Sequence, residues 1–144
     1  MARRKTDPLG SFNFLLEING VQAAGFSEVT GLDSETDIIE YREGNEEITV
    51  RKLPGLRKFA NVTLKRGLTS DLALWQWRQN VMNGKIERQN VTITVNDESR
   101  EKAVLWDLRD AWPSKWTGPE LKANANEVAI ETLEFCHEGI TKMG

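Results

Sequence analysis

The segment from Asn61 to Gly84 is the one place in the chain where the spacing of apolar residues changes from two residues to about 3.6 residues. At its start, Ala60, Val62 and Leu64 alternate with polar residues, which is typical of a half-buried strand, and Arg66-Gly67 is predicted to end that strand. Beyond this point the spacing is helical, whereas the other segments have the pattern of strands and turns. The sequence therefore predicts many strands and a single helix.

The helix is predicted over about residues 70–83. Thr69 or Ser70 supplies a hydroxyl that can cap its N-terminus, and Asp71 falls in the first turn, where the helix dipole favours an acid. Gly84 suits the C-terminal end of a helix because glycine accepts the left-handed backbone found there.

This helix carries two apolar stripes, which is more apolar surface than one core requires. At about 100° per residue, Trp75 and Met82 share one stripe, and polar side chains separate it from the other. The larger stripe contains Ala73, Leu74, Trp77 and Val81. The larger stripe serves the domain's own core, and two interpretations of the stripe of Trp75 and Met82 remain open. It is either an edge of the same core or a surface for another chain.

The N-terminal quarter is predicted to form a flexible arm and then a hairpin. Residues 1–11 are polar and basic, which indicates a solvated arm. Residues 12–18 alternate between apolar and polar positions, and Asn19-Gly20 predicts a tight turn into a return strand at 21–28. Ala23-Ala24-Gly25 weakens that strand and marks a bulge or a close approach of backbones.

A second hairpin, over about residues 35–55, combines apolar and charged residues on both sides. Its strands are predicted at Thr36–Arg42 and Glu46–Lys52, and Leu53-Pro54-Gly55 is predicted to end it because proline lacks a backbone N–H. Such a ribbon cannot be wholly core. It is either a solvated edge whose charges block aggregation or an arm that reaches a neighbouring subunit.

The C-terminal half continues the pattern of strands. Residues 91–95 and 103–109 alternate, whereas two prolines in residues 111–123 predict a packed loop whose Trp112 and Trp116 lie against the barrel wall. The last strand, Asn126–His137, changes its apolar face between Ile130 and Leu133, which implies a bulge or burial on both sides. Seven or eight strands and one helix predict a mainly β, antiparallel barrel or sandwich with the helix flanking it.

Length and charge limit the possible functions. With 144 residues the chain is expected to form one domain, and its net charge of −3 offers no general attraction to nucleic acid or anionic lipid. Cys136 is the only cysteine, and no apolar signal-peptide core follows the basic residues near the N-terminus. Synthesis in the cytoplasm without a signal peptide is therefore expected, with no membrane anchor.

No arrangement of residues in the sequence predicts catalysis. His137 is the only histidine, so no Ser-His-Asp set can be built, and its neighbour Cys136 completes at most half of a metal site. Two pairs of carboxylates could serve as acid and base but are common on solvated strands: Glu131 with Glu134, and Asp107 with Asp110. We therefore predict a protein that is not an enzyme, with no catalytic, cofactor-binding or metal-binding residues.

Seven blocks, in order along nearly the whole chain, carry a resemblance to a known family. They are FNFLLEINGV at 12–21, AGFSEVTGL at 24–32, EYREG at 40–44, RKLPG at 51–55, NVTLKRGLT at 61–69, AWPSKWTGPEL at 111–121 and NEVAIETLEFCHEG at 126–139. The series resembles the tube proteins of contractile phage tails and of phage-tail-like contractile injection systems.

The resemblance implies a structural subunit. Six copies would close into a ring, and rings would stack into a rigid hollow tube that sheath contraction drives through a target envelope. The implied partners are further copies of the chain, a sheath protein, baseplate or hub and tube-terminating proteins, and a cargo of protein effector or DNA in the lumen. The implied place is a contractile particle, cytoplasmic, membrane-attached or released, or a virion tail.

Two other functions remain alternatives. Within the family, the chain could be a paralogue that initiates the tube at the baseplate, although its short loops and the absence of an inserted domain favour the main tube subunit. Outside the family, it could be a monomeric β-sandwich that binds carbohydrate through Trp112 and Trp116 or binds a protein. The blocks are more similar to the injection-particle branch than to phage tails.

Carried over to this sequence, the resemblance assigns interface residues to the charged hairpin. They are Tyr41, Arg42, Glu43, Arg51 and Lys52. It also favours the second interpretation of the smaller helix stripe, with Trp75 and Met82 contacting the sheath or a neighbouring subunit.

We expect charge reversal at Arg42 or Arg51 (R42E or R51E) to abolish ring stacking and leave the fold intact, because exposed charges contribute little to the stability of a single subunit. Negative-stain microscopy measures the stacking, and circular dichroism checks the fold. Normal tubes from both variants would show that these arginines do not connect subunits.

Overall fold

A computed structural model of the chain describes residues 13–18, 21–23, 26–42, 44, 50–68, 70–96, 102–124 and 129–143. Within these ranges the chain forms ten strands and one helix. In chain order they are β1 (Asn13–Ile18), β2 (Val21–Ala23), β3 (Phe26–Thr30), β4 (Ser34–Tyr41), β5 (Arg51–Phe59), β6 (Val62–Gly67), α1 (Ala73–Met82), β7 (Gln89–Asn96), β8 (Lys102–Thr117), β9 (Ile130–Cys136) and β10 (Gly139–Met143).

Eight of these strands form one antiparallel sheet. Its order is β2-β1-β7-β8-β9-β6-β3, and β10 pairs with β8 beyond the end of β9. Near the two ends of the sheet, β1 and β3 contact each other, so the sheet curls around a core. The remaining strands, β4 and β5, form a separate two-stranded ribbon. The prediction of a mainly β, antiparallel fold with one flanking helix is confirmed.

The core lies inside the curled sheet and follows from alternation along the strands. On β6, Val62, Leu64 and Arg66 are buried, whereas the residues between them are only partly buried. The apolar side chains of the core come from five strands and the helix: Leu16, Val62, Leu64, Leu74, Trp77, Val91, Ile93, Leu108, Ala111, Leu133 and Phe135. Their removal from water is the main favourable term in folding.

The predicted loop at residues 111–123 is wrong, because β8 continues as far as Thr117. The strand changes partner along its length, from β7 and β10 to β9, near Asp110, whose φ of 51° is in the left-handed region. Pro113 is tolerated because the register with β9 shifts between Pro113 and Lys115. Trp112 and Trp116 pack against the core, as predicted, but they do so from a strand.

The ribbon also extends beyond its predicted end at Leu53-Pro54-Gly55, since β5 continues to Phe59. The register changes between Thr36 and Ile38 on β4, so Gly55 and Leu56 together lie opposite Asp37. A two-stranded ribbon pairs each strand on one side only, so a proline and a bulge cost it fewer hydrogen bonds than they would cost a central strand.

The helix begins later than predicted, at Ala73 instead of residue 70. Ser70 does not cap it, and Asp71 precedes the first turn, where its carboxylate accepts a hydrogen bond from the backbone N–H of Ala73 at 3.0 Å. The predicted end is confirmed, because Gly84 follows with a φ of 86° and donates its N–H to the carbonyl oxygen of Val81.

Two strand predictions differ from the structure. The predicted return strand at 21–28 is divided into β2 and β3, which pair with different strands, β1 and β6. The described part of the last predicted strand forms β9 from Ile130, and Ile130 is 45% exposed, so the predicted burial on both sides is wrong for this residue. A further strand that was not predicted, β10, follows it. These differences account for ten strands in the described ranges instead of seven or eight.

Several predicted features lie outside the described residues. They are the N-terminal arm at 1–11 with Phe12, the turn Asn19-Gly20, the pair Ala24-Gly25, Thr69, residues 43 and 45–49 of the second hairpin, and residues 126–128 of the last strand. Within the described ranges, the chain has no helix long and apolar enough to span a membrane.

Gly31 connects β3 to the ribbon and adopts a φ of 90°, and a Cβ at this position would overlap the carbonyl oxygen of Asn61. We expect Gly31→Ala to lower the free energy of unfolding by more than about 3 kcal/mol, since backbone strain adds to the overlap. Gly84→Ala is the matched control, because Gly84 has a similar φ in open space and should cost about 1–2 kcal/mol. Urea unfolding measures both, and equal losses would contradict the proposed overlap.

Candidate assembly surfaces

The structure brings four of the five predicted interface residues together at the far end of the ribbon. Tyr41 ends β4 and pairs with Arg51 at the start of β5, and Lys52 pairs with Glu40. Arg42 follows Tyr41 directly and is exposed. Glu43 lies outside the described residues. The ribbon thus presents cationic and aromatic side chains next to each other, a combination frequent in protein interfaces.

Both faces of the ribbon expose apolar side chains. Ile39, Tyr41 and Leu53 share one face and are 51%, 47% and 47% exposed, whereas Ile38 on the other face is 65% exposed. Leu56 at the bulge is 75% exposed. A two-stranded ribbon is marginally stable in water, and a contiguous exposed apolar surface is typical of an interaction site. The prediction that apolar residues lie on both sides of this hairpin is confirmed.

The strand edges provide a second kind of surface. Within the described part of the chain, β2 pairs only with β1, β3 pairs only with β6, and β10 pairs only with β8. Each strand of the ribbon likewise pairs only with the other. Unpaired N–H and C=O groups along such edges can accept a strand from another chain.

A third surface lies at the end of the sheet opposite the ribbon. The ribbon leaves the sheet where β3 ends and β6 begins, whereas Leu68 follows the last residue of β6. The backbone N–H of Leu68 donates to the carbonyl oxygen of Ala129, which places Leu68 beside Ile130. We call Leu68 and Ile130, which are 52% and 45% exposed, the distal apolar patch.

The smaller stripe of the helix is divided between the subunit and the solvent. Trp75 is half-buried and packs edge-on against Trp116, with ring centroids 5.2 Å apart. Met82, two turns later, is 52% exposed. The domain's own core therefore uses part of Trp75, and Met82 remains available for another chain. On the larger stripe, Leu74 and Trp77 are buried as predicted and Val81 is partly buried, whereas Ala73 is exposed.

A buried arginine that sequence reasoning missed lies in the barrel interior. Arg66 is 4% exposed, and its Nε lies 3.2 Å from a carboxylate oxygen of Glu131 on β9. The guanidinium carbon lies 5.7 Å from the ring centroid of Phe26 and 5.9 Å from that of Trp116, within the range of cation–π contact. The sequence could have indicated its burial, because Arg66 lies two residues after Leu64 and alternation places both side chains on the same, inward face of β6.

The residues considered for chemistry are placed in structural roles. The Sγ of Cys136 lies 3.7 Å from the carbonyl oxygen of Trp112, and burial raises the pKa of this thiol, which disfavours the nucleophilic thiolate. His137 has its ring nitrogens 3.1 Å and 3.2 Å from the carbonyl oxygens of Gly139 and Ala60. Among the described residues, no group of three or more His, Cys, Asp or Glu side chains could hold a metal ion.

The carboxylates of the two candidate pairs contact other side chains. Glu131 contacts Arg66, whereas Glu134 accepts a hydrogen bond from the side-chain amide of Asn61 at 3.1 Å. Asp107 accepts one from the hydroxyl of Thr92 at 3.2 Å. These contacts are those of ordinary strand side chains.

In the described ranges the chain is therefore a curled antiparallel sheet with a separate two-stranded ribbon and exposed apolar residues at both ends. The model of the family of the T4-like virus tail tube protein gp19 matches residues 10–141. The chain belongs to this family of structural tail tube proteins, and the resemblance found in the sequence is confirmed.

Solved structures agree with this assignment. A chain of the structure of the anti-feeding prophage cap (tube-terminating cap) is 27% identical with a TM-score of 0.85, and the match covers 99% of this chain and 94% of that one. A chain of the extended sheath-tube complex of the extracellular contractile injection system PVC is 24% identical with a TM-score of 0.85, covering 96% and 93%. Hcp1 from Flavobacterium johnsoniae shares the fold at 14% identity, with a TM-score of 0.61 and coverage of 91% and 94%. No curated protein matches this chain.

We expect Arg66→Leu to lower the free energy of unfolding by about 3–5 kcal/mol, because it leaves the carboxylate of Glu131 buried without its charged partner. Replacing both residues by leucine should restore most of that loss. Lys65→Leu is the control, since the Lys65–Glu28 pair is half-exposed and should contribute less than about 1 kcal/mol. Urea unfolding of the three variants measures these free energies. If Arg66→Leu lowered the free energy of unfolding no more than Lys65→Leu does, the importance of the buried ion pair would be contradicted.

Proposed function

We propose that this chain is the repeated subunit of the inner tube of a contractile injection particle. Hexameric rings of the chain stack into a hollow tube inside a sheath, the tube begins at a baseplate or hub and ends at a terminating protein, and sheath contraction drives it through a target envelope. Family membership and the likeness to chains of sheath-tube, cap and baseplate structures support this proposal.

One observation carries the proposal: the two-stranded ribbon exposes apolar side chains on both faces, and such a ribbon is marginally stable in water by itself. Its apolar residues on both faces are about half exposed or more, and it has only two strands. Burial of apolar surface contributes about 25 cal/mol per Å², so covering the ribbon with further copies of the chain supplies a driving force for assembly. The charged end at Arg42, Arg51 and Lys52 then sets orientation and register between identical copies.

A repeated subunit needs a surface at each end, and this chain has both. The ribbon leaves one end of the sheet, and the distal apolar patch lies at the other. Two different surfaces on opposite ends generate head-to-tail contacts, which extend without limit along one axis. This arrangement favours the main tube subunit over a terminating or tube-initiating paralogue, for which one such surface is enough.

Ring closure is proposed to use the free strand edges. In the described ranges, β2 and β10 are the outer strands of the half of the sheet that contains β1, β7 and β8. Pairing the edge of one copy with that of the next would remove exposed edges and continue the sheet around a lumen. Met82 and the exposed part of Trp75 are proposed to contact the sheath or a neighbouring subunit.

The proposed role is structural, without catalysis or a cofactor, and the cargo in the lumen is a protein effector or DNA. The alternative of a carbohydrate-binding module is less well supported. Trp112 and Trp116, which it requires as a binding platform, are half-buried against the core, and Trp116 also contacts Trp75 and Arg66.

Purified protein tests the proposal. We expect negative-stain microscopy and analytical ultracentrifugation to detect rings and tubes, whereas a monomeric binding module would remain near 16.3 kDa. Monomer at every concentration, also in the presence of the sheath and baseplate proteins, would overturn the tube assignment.

A variant in the distal apolar patch sharpens the test. Ile130→Lys should leave rings intact and shorten or abolish tubes, because a lysine would be buried in the contact between rings. Ile86→Lys is the matched control, since Ile86 is 46% exposed on the connection between α1 and β7, outside the patch. Equal loss of tubes in both variants would contradict the role of the patch.

A further inference from the structure

A cleft of about 450 Å³ lies at the root of the ribbon, between β5 and the β8–β10 pair. Arg57 and Phe59 line it from β5, Arg109 lines it from β8, and Glu138 with residues 139–141 completes it. The cleft is distinct from the far end of the ribbon and from the distal apolar patch. It brings two guanidinium groups from distant parts of the sequence to one site.

The cleft has spare hydrogen-bond donors and an excess of positive charge. The Nη2 of Arg109 donates to the backbone carbonyl oxygen of Glu138 at 3.1 Å, and its Nε lies 3.9 Å from a carboxylate oxygen of Asp110. A guanidinium carries five N–H groups, so most donors of Arg109 are unused by these contacts. Arg57 has no side-chain hydrogen bond or ion pair with the described residues. Two cations face a single lining carboxylate, that of Glu138.

Such a site fits a carboxylate. Two guanidinium groups can bind carboxylate oxygens through parallel N–H···O bonds, which are stronger than bonds between neutral groups. The apolar ring of Phe59 also lines the cleft, and less polar surroundings strengthen such bonds. The ligand must therefore present an acidic side chain on a segment narrow enough to enter the cleft.

The chain itself contains an acidic segment of this kind. Residues 43–47, with the sequence EGNEE, carry three glutamates, and Arg42 is the neighbouring cation. The pairing of Tyr41 with Arg51 holds both ends of the intervening segment about 16 Å from Arg57, because Thr36, the partner of Arg57, lies five residues before Tyr41 on β4 at roughly 3.3 Å each. To reach the cleft of its own copy, the segment would have to fold back along the ribbon. The same segment of a second copy can enter the cleft from outside without doing so.

We propose that the cleft of Arg57, Phe59 and Arg109 is a carboxylate-binding site for residues 43–47 of a second copy of the chain. This inference rests on the proposed function and adds the receiving surface for the ribbon. The contact is head-to-tail, because the far end of one ribbon meets the root of the next, and each copy both gives and receives one segment. Opposite charges on the two surfaces orient the copies as they meet.

Charge exchange tests the contact. We expect Arg57→Glu to raise the critical concentration for assembly at least about tenfold, and the pair Glu46→Arg with Glu47→Arg to do the same. Combining all three substitutions in one chain should restore most of the assembly. Lys85→Glu, an exposed charge reversal on the connection after α1, should leave the critical concentration unchanged. Sedimentation of assembled particles across a concentration series measures the effect.

Crosslinking identifies the occupant. In a background of Cys136→Ser, subunits carrying Thr141→Cys are mixed with subunits carrying Glu46→Cys, assembled, and treated with a short bismaleimide. A covalent dimer that forms only in the mixture supports the proposal. A chain carrying both substitutions that crosslinks only within itself would overturn it.

The outcomes separate this inference from the proposed function. If the wild-type protein forms tubes and the Arg57→Glu variant assembles at the same critical concentration, the proposed role of the cleft is wrong and the tube assignment is unaffected. Wild-type protein that forms neither rings nor tubes with its sheath and baseplate proteins refutes both. Loss of assembly in Arg57→Glu with no rescue by the reversed glutamates overturns the proposed occupant.

Discussion

The bend of β8 is the constraint on which the rest of the fold depends. This 16-residue strand pairs with β7 and β10 along its first part and with β9 along its second part, so it joins the two halves of the sheet. The change of partner falls near Asp110, where the left-handed backbone is accepted by aspartate more readily than by most residues. A straight strand could not serve both halves, and the sheet would not curl around the core.

The interior of the curled sheet contains the charged side chain of Arg66. The ion pair between Arg66 and Glu131 crosses from β6 to β9, and the rings of Phe26 and Trp116 flank it. A buried ion pair of this kind adds little net stability but penalises any register in which one partner is left alone. It therefore specifies how β6 and β9 pair, while the apolar core supplies the driving force.

The described part of the subunit exposes apolar side chains and strand edges. Under the proposed function, the ribbon, the strand edges and the distal apolar patch present groups that other copies can cover. The cleft at the ribbon root extends this logic, because it places a cationic site where an acidic segment of the same sequence is available. Assembly would then be encoded by complementary parts of one chain.

The sequence by itself determined the fold class, the position of the helix, the charged ribbon and the family, because alternation, helical spacing and motif order are local properties that need no knowledge of neighbours. It misjudged Leu53-Pro54-Gly55 and the 111–123 segment, since whether a strand tolerates proline depends on which of its edges is paired. Only the tertiary structure decided that Trp75 packs partly on Trp116, that Arg66 is buried, and that Arg57 and Arg109 share a cleft. Those contacts join residues far apart in the chain, and they exist only after the sheet has bent at Asp110 and brought its strands together.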